Sequence, residues 1–146
     1  MKIEDLEPFL GRWSMRAVAP WAEGQPDGAE TVFEWLSGGR LLVQRVEIPV
    51  PVAPDSLAVI GVHPETEGFL QHYFDSRGVV RLYEMSFDGR TWELTRTKPD
   101  FSPLDFSQRF TGVFSDDGGE IAGRWEAADD GESWELDFEL FYRRLE

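Results

Sequence analysis

A chain of 146 residues with 41% hydrophobic and 14% aromatic side chains suits a single domain, 1–146, that buries about two-thirds of its unfolded surface. Its 28 acidic against 14 basic residues leave a net charge of −14, which repels phosphate backbones and anionic headgroups and argues against nucleic-acid and membrane partners. With no cysteine there is no disulfide, thiol nucleophile or thiolate metal site; Met1-Lys2-Ile3-Glu4-Asp5 also lacks the basic-then-apolar pattern of a secretory signal, so a cytoplasmic location is expected.

At the start, Ile3, Leu6 and Phe9 stand three apart, the spacing of one face of a short helix that could plug a barrel end. Residues 10–18 read as the first strand, and 19–27, with Pro20, Gly24 and Pro26, as a loop. Strand-like runs at 29–36 and 41–48 flank Gly38-Gly39, whose access to positive φ suits a two-residue hairpin turn. Pro49, Pro51 and Pro54 then keep 48–55 out of a sheet interior. Runs 57–63 and 69–75 turn at Glu65-Thr66-Glu67-Gly68, 79–87 follows Ser76-Arg77-Gly78, and 91–97 follows Asp88-Gly89. A second proline-containing loop covers 98–105, after which 106–115, 120–127 and 133–143 turn at Asp117-Gly118 and Asp130-Gly131. Glycine-centred turns between runs this short predict an all-β fold: an up-and-down antiparallel β-barrel of about ten strands, with a short N-terminal helix.

Strand side chains alternate, so each turn fixes which residues stand opposite one another. Asp130-Gly131 sets Trp134 against Ala127, Leu136 against Trp125, Phe138 against Gly123 and Leu140 against Ile121. Asp117-Gly118 sets Phe114 against Ile121 and Phe110 against Trp125. In the first hairpin Thr31, Phe33, Trp35, Leu42, Gln44 and Val46 face inward. From 57 to 97 the inward set contains Ile60, Val62, Phe69, Gln71, Tyr73 and Arg81, then Tyr83, Met85, Phe87, Trp92, Leu94 and Arg96. The outward face of the middle strands is unusually apolar, with Val43, Leu57, Val59, Leu70, Phe74, Val80 and Leu82 beside His72: either a second copy covers it as a homodimer, or the register slips by one there and these residues line the cavity.

Ten strands should enclose a cavity of a few hundred Å³ rather than a filled core. The expected function is binding or carriage of a small, mainly hydrophobic ligand, with Phe33, Trp35, Gln44, Gln71, Tyr73, Tyr83, Trp92, Phe110 and Trp125 lining its site. One row sets Ile60 against Tyr73, Tyr73 against Arg81, and Arg81 against Arg96. Two arginines face to face predict an anion between them, so the ligand is expected to be a small amphipathic acid. The alternative is an enzyme isomerising or cyclising a hydrophobic metabolite, with a tyrosine, arginine or carboxylate polarising a carbonyl. No serine–histidine–acid set, phosphate loop or carboxylate pair supplies catalytic residues. His63 and His72 face outward near Glu84 without a recognisable ligand spacing, so no metal is expected.

Leu10-Gly11-Arg12-Trp13 opens the first strand and Phe141-Tyr142-Arg143-Arg144 closes the last. This pairing resembles the calycin superfamily, the lipocalins and fatty-acid-binding proteins, in which a closing arginine packs across the opening tryptophan. The resemblance implies structural roles for Gly11 and Trp13, with Arg143 or Arg144 over the indole. Gly61 to Pro64, Tyr73 to Gly78, Gly123 to Glu126 and Tyr142-Arg143 are similar to small, uncharacterised bacterial lipocalin-like proteins. Arg81-Leu82-Tyr83 looks like the arginine-x-tyrosine carboxylate clamp of fatty-acid-binding proteins. More distantly, the chain resembles nitrobindin-like proteins, ten-stranded barrels that hold haem through a histidine on a late strand. Here the late strands contain none, and no cofactor is expected.

Overall fold

Short runs of β-branched and aromatic residues, punctuated by turn residues, form ten antiparallel strands in the computed structural model, which describes residues 2–20, 28–36, 38–49 and 54–145. They are β1 (Gly11–Val18), β2 (Glu30–Trp35), β3 (Leu42–Glu47), β4 (Ser56–Val62) and β5 (Phe69–Asp75), then β6 (Val80–Phe87), β7 (Thr91–Arg96), β8 (Ser107–Phe114), β9 (Glu120–Ala128) and β10 (Glu135–Arg144). Each pairs with its sequence neighbour, and β1 pairs with β10, so the sheet closes into the expected barrel. Much of the loops predicted at 19–27 and 48–55 lies outside the described residues. Among the described residues no helix is long and apolar enough to cross a membrane.

A 3₁₀ helix, Ile3–Phe9, closes one end. Three residues per turn stack Ile3, Leu6 and Phe9 on one side, and all three are buried. The Phe9 ring lies 5.2 Å from Phe33, 4.8 Å from Phe87, 4.9 Å from Trp92 and 5.0 Å from Phe114, mostly edge to face. Gly11 then turns the chain into β1 at φ 120°, a region that glycine enters without strain. Trp13 is fully buried and donates its indole N–H to Phe9 O at 2.9 Å. The Arg144 guanidinium sits 4.1 Å above the indole and donates to Leu10 O and Pro8 O. Alternation decides between the two arginines: Leu140, Tyr142 and Arg144 share the inward side, whereas Arg143 is exposed and faces Glu120.

Several registers differ from the sequence reading, because two turns centre one residue away from where they were read and the turn before β10 is longer than its glycine suggested. The His63 side chain accepts from Glu65 N and His63 N bonds Gly68 O, so Ile60 faces Gln71, and Tyr73 faces Ala58. Asp88 accepts from Arg90 N and Thr91 N, which moves the tip beyond Gly89 and sets Phe87 against Trp92. The carboxylate of Asp130 accepts from Glu132 N and Ser133 N, β10 begins only at Glu135, and a bulge follows between Leu136 and Phe138. As a result Phe138 faces Trp125, Leu140 faces Gly123 and Tyr142 faces Ile121. Trp134 falls outside the strand, its ring 4.3 Å below the Arg109 guanidinium instead of inward against Ala127. The pairs Phe110–Trp125, Phe114–Ile121 and Tyr73–Arg81 stand as read. No one-residue slip occurs in the middle strands, where Val59, His72 and Leu82 form one outward row; Val43, expected outward with them, is buried.

Candidate functional site

Above the plug the barrel is not filled. A chamber of about 400 Å³ remains, with Met15, Ala17, Val46, Ala58, Leu94 and Leu140 on its aliphatic wall. Trp92, Phe110, Trp125 and Phe138 supply aromatic faces, and Gln44, Gln71, Tyr73 and Tyr142 the polar groups. Ile48, Pro54, Ser56 and Arg77 stand on it from the end opposite the plug.

Small residues explain the space. Ala17 and Ala58 place methyl groups where larger side chains would cross the barrel. Gly112 and Gly123 pair across β8 and β9 beneath the Phe110 ring, where a Cβ would lie 2.9 Å and 2.5 Å from ring atoms. The ring therefore lies down on the sheet. It packs on Trp92 at 4.7 Å and on Trp125 at 5.1 Å.

A second hollow of about 370 Å³ shares Gln71, Tyr73, Arg77, Trp125 and Phe138 with the chamber and adds Arg81, Tyr83, Phe106, Gln108 and Asp137. Its polar groups are largely committed to one another. Gln108 Oε1 accepts from Arg81 at 3.0 Å and from the Tyr83 hydroxyl at 3.1 Å. Asp75 accepts from the Tyr73 hydroxyl at 2.9 Å and from Arg77 at 2.7 Å. Burial would raise the Asp75 carboxyl, but bonds from Arg77, Tyr73 and the Val79 amide outweigh it and hold the group at about 2. Burial, and then the bond to Asp75, push the Tyr73 phenol up. Burial also raises the Tyr83 and Tyr142 phenols. Asp137, at the β10 bulge, lines this hollow.

Of the residues expected to bind ligand, Gln44, Gln71, Tyr73, Trp92, Phe110 and Trp125 line the chamber, and Arg81 and Tyr83 line the adjoining hollow. Phe33 belongs to the plug cluster, 5.2 Å from Phe9, and Trp35 packs at the edge of the core without lining the chamber. Arg96 is the main correction. With Leu94 opposite Met85, Arg96 comes level with Tyr83 rather than Arg81. Its guanidinium is buried in an ion pair with Asp100, at 2.9 and 3.2 Å, so the facing arginine pair does not form. That pairing holds the Asp100 carboxyl well below its usual range, helped by backbone bonds from Leu82 and Ser102. Asp100 also closes the wall: the β6–β7 ladder ends at Glu84–Thr95, and Leu82 N donates to the Asp100 carboxylate at 3.0 Å instead of to a strand.

Sequence reading missed Met15, Ala17, Ala58, Arg77, Gln108 and Asp137 as site residues. Phe138, Leu140 and Tyr142 were visible as inward-facing, but alternation alone does not separate a chamber wall from packed core. No protein-family model matches the chain, and no curated protein matches it.

Proposed function

We propose that this protein is a calycin-like, cytoplasmic carrier or binder of a small, mainly hydrophobic molecule held in the barrel chamber. The observation that carries the reading is the chamber itself: about 400 Å³, aromatic and aliphatic walls, and a few inward polar groups, within the range typical of small-molecule sites. The Arg144–Trp13 stack supports the calycin likeness, and the net charge of −14 supports a small molecule over nucleic acid or a membrane surface as partner. Binding is favoured over turnover because the ionisable groups beside the chamber are tied up. Asp75, held at about 2 by its donors, is a weak base, and the raised Tyr73 phenol is a weak acid. Of the two arginines expected to hold an anionic head, Arg81 alone remains beside the chamber, already bonded to Gln108.

Native mass spectrometry of the purified protein tests the reading. A retained hydrophobic compound at one per chain is expected, and Ala58→Phe, which grows into the chamber, should abolish it while the fold persists. Equal retention by both proteins would place the compound elsewhere. A homodimer belongs to the same proposal, formed through the outward apolar row, where Leu57 and Phe74 are exposed. A monomeric mass by light scattering at micromolar concentration would remove that part.

A further inference from the structure

The barrel wall has a gap at the end away from the plug. Phe87 and Trp92, which touch the plug through Phe9, sit at the paired end of β6 and β7. At the other end β6 stays paired with β5 as far as Phe74–Val80, and β7 with β8 as far as Arg96–Gln108, but β6 and β7 part after Glu84–Thr95. Residues 80–83 therefore face no strand on that side. The segment 97–106, between β7 and β8, crosses the gap, and its Asp100 accepts from the Leu82 amide and the Arg96 guanidinium. A hollow of about 440 Å³ lies between this segment and the start of β6, where Val79, Val80, Phe101 and Phe106 give it apolar surface beside Arg81 and Arg96.

Arg81 and Phe106 line this hollow and also the inner one of about 370 Å³, which shares Gln71, Tyr73, Arg77, Trp125 and Phe138 with the chamber. Outside and inside are thus divided here by two side chains, the Arg81 guanidinium 5.6 Å from the Phe106 ring, rather than by a ladder of backbone bonds. Side chains re-orient far faster than paired strands separate. The crossing segment is also lightly fastened. Its buried ion pair is Arg96–Asp100; Lys98–Glu84 is an exposed pair at 3.6 Å, and Phe101 lies 6.4 Å from the His72 ring while 65% exposed. In a buried ion pair attraction is largely offset by lost hydration, so a motion that returns both partners to water costs little. We infer that residues 97–106 are a strap that swings off the gap, latched by Arg96 and Asp100, and that the ligand passes there, between Arg81 and Phe106, into the chamber. This inference rests on the binding reading above and adds the route by which the chamber fills.

A latch that does not touch the bound ligand changes how fast the ligand moves and not how tightly it is held, because entry and exit cross the same barrier. Arg96 and Asp100 line neither the chamber nor the inner hollow. Stopped-flow fluorescence with 1-aminoanthracene, a neutral probe that brightens in apolar surroundings, tests the route; the signal counted is the part lost in Ala58→Phe. Asp100→Asn should raise the association and dissociation rates together by roughly tenfold, the effect of weakening one charge-assisted bond, and leave Kd nearly unchanged. Because the chain has no cysteine, His72→Cys with Phe101→Cys gives a single addressable pair that a short bis-methanethiosulfonate linker joins, fixing the strap to β5. Joined, this variant should exchange the probe roughly tenfold more slowly or less in both directions, and a reducing agent should restore the rates of the same molecules, which separates a closed strap from a misfolded chain. Equal rates before and after reduction, with the probe still bound, would send the ligand by another route and overturn the inference while the binding reading stands. Faster dissociation of Asp100→Asn with unchanged association would make Asp100 part of the hold on the ligand and overturn it equally. Wild-type protein that takes up no probe in the chamber removes the binding reading, and this inference with it.

Discussion

Trp13 and Trp92 face the same barrel interior and are both almost completely buried, yet Trp13 belongs wholly to the plugged end while Trp92 stands between the plug and the chamber and lines the latter. At the plugged end everything is satisfied: the Trp13 N–H bonds Phe9 O, Arg144 covers the ring, and the guanidinium is itself spent on two backbone carbonyls. At the chamber the Trp92 N–H finds no partner among the described residues and the side chains stop short of one another. Aromatic residues dominate both regions, so composition does not distinguish a core from a site. The distinction lies in whether polar atoms are paired and whether the small residues lie under a ring or beside a void.

The largest test of that contrast is Trp13→Ala. Removing a fully packed indole should cost about 3–5 kcal/mol and lower Tm on the order of 10 °C by calorimetry. Glycine positions sharpen it further. Gly123→Ala drives a methyl into Phe110 and should destabilise by about 1–3 kcal/mol in urea titration. Ala58→Phe adds far more volume but grows into empty space, and should leave stability unchanged or raised. A large loss from Ala58→Phe would mean that the chamber collapses on itself.

Arg144→Met should cost about 2 kcal/mol, as the stack and the bonds to Leu10 O and Pro8 O are lost together, whereas Arg143→Met on the exposed side should cost under about 0.5 kcal/mol. The smallest effect is a slope. Because Asp75 is held at about 2 in the folded protein against an ordinary 3.8, its contribution is fully present above that ordinary value and disappears as pH falls toward 2. Asp75→Asn should start less stable at pH 7, having lost the pairing with Arg77, and show a shallower decline between about pH 4 and pH 2 by acid titration of circular dichroism.

How much of this was legible in the sequence follows from the arithmetic of turns. At Ile60–Gln71, at Met85–Leu94 and along the end of β10, the observed pairing differs from the expected one by two residues. An even shift preserves the face, so Gln71, Tyr73, Trp92, Phe110 and Trp125 were correctly placed inside. It does not preserve the row, and the Arg81–Arg96 pair was a statement about a row. Where each turn centres follows the side-chain acceptors on His63, Asp88 and Asp130, which glycine positions do not reveal. Asp137 was harder still, since the bulge it occupies between Leu136 and Phe138 has no signal in the glycine positions. The choice of Arg144 over Arg143 was available from alternation with Leu140 and Tyr142.

The Asp100 carboxylate that receives Leu82 N gives the barrel a wall with one borrowed stitch. Elsewhere along β6 an amide is released only when two strands separate. At Leu82 it is released whenever the segment carrying Asp100 swings away, with the rest of the sheet intact. Hydrogen–deuterium exchange should therefore resolve β6 into two regimes, with Met85 and Phe87 exchanging through unfolding of the sheet and Leu82 exchanging faster, at the opening rate of a loop eighteen residues downstream. Asp100→Asn should speed exchange at Leu82 and leave Met85 unchanged, a local gating constant that can be read without any ligand in hand.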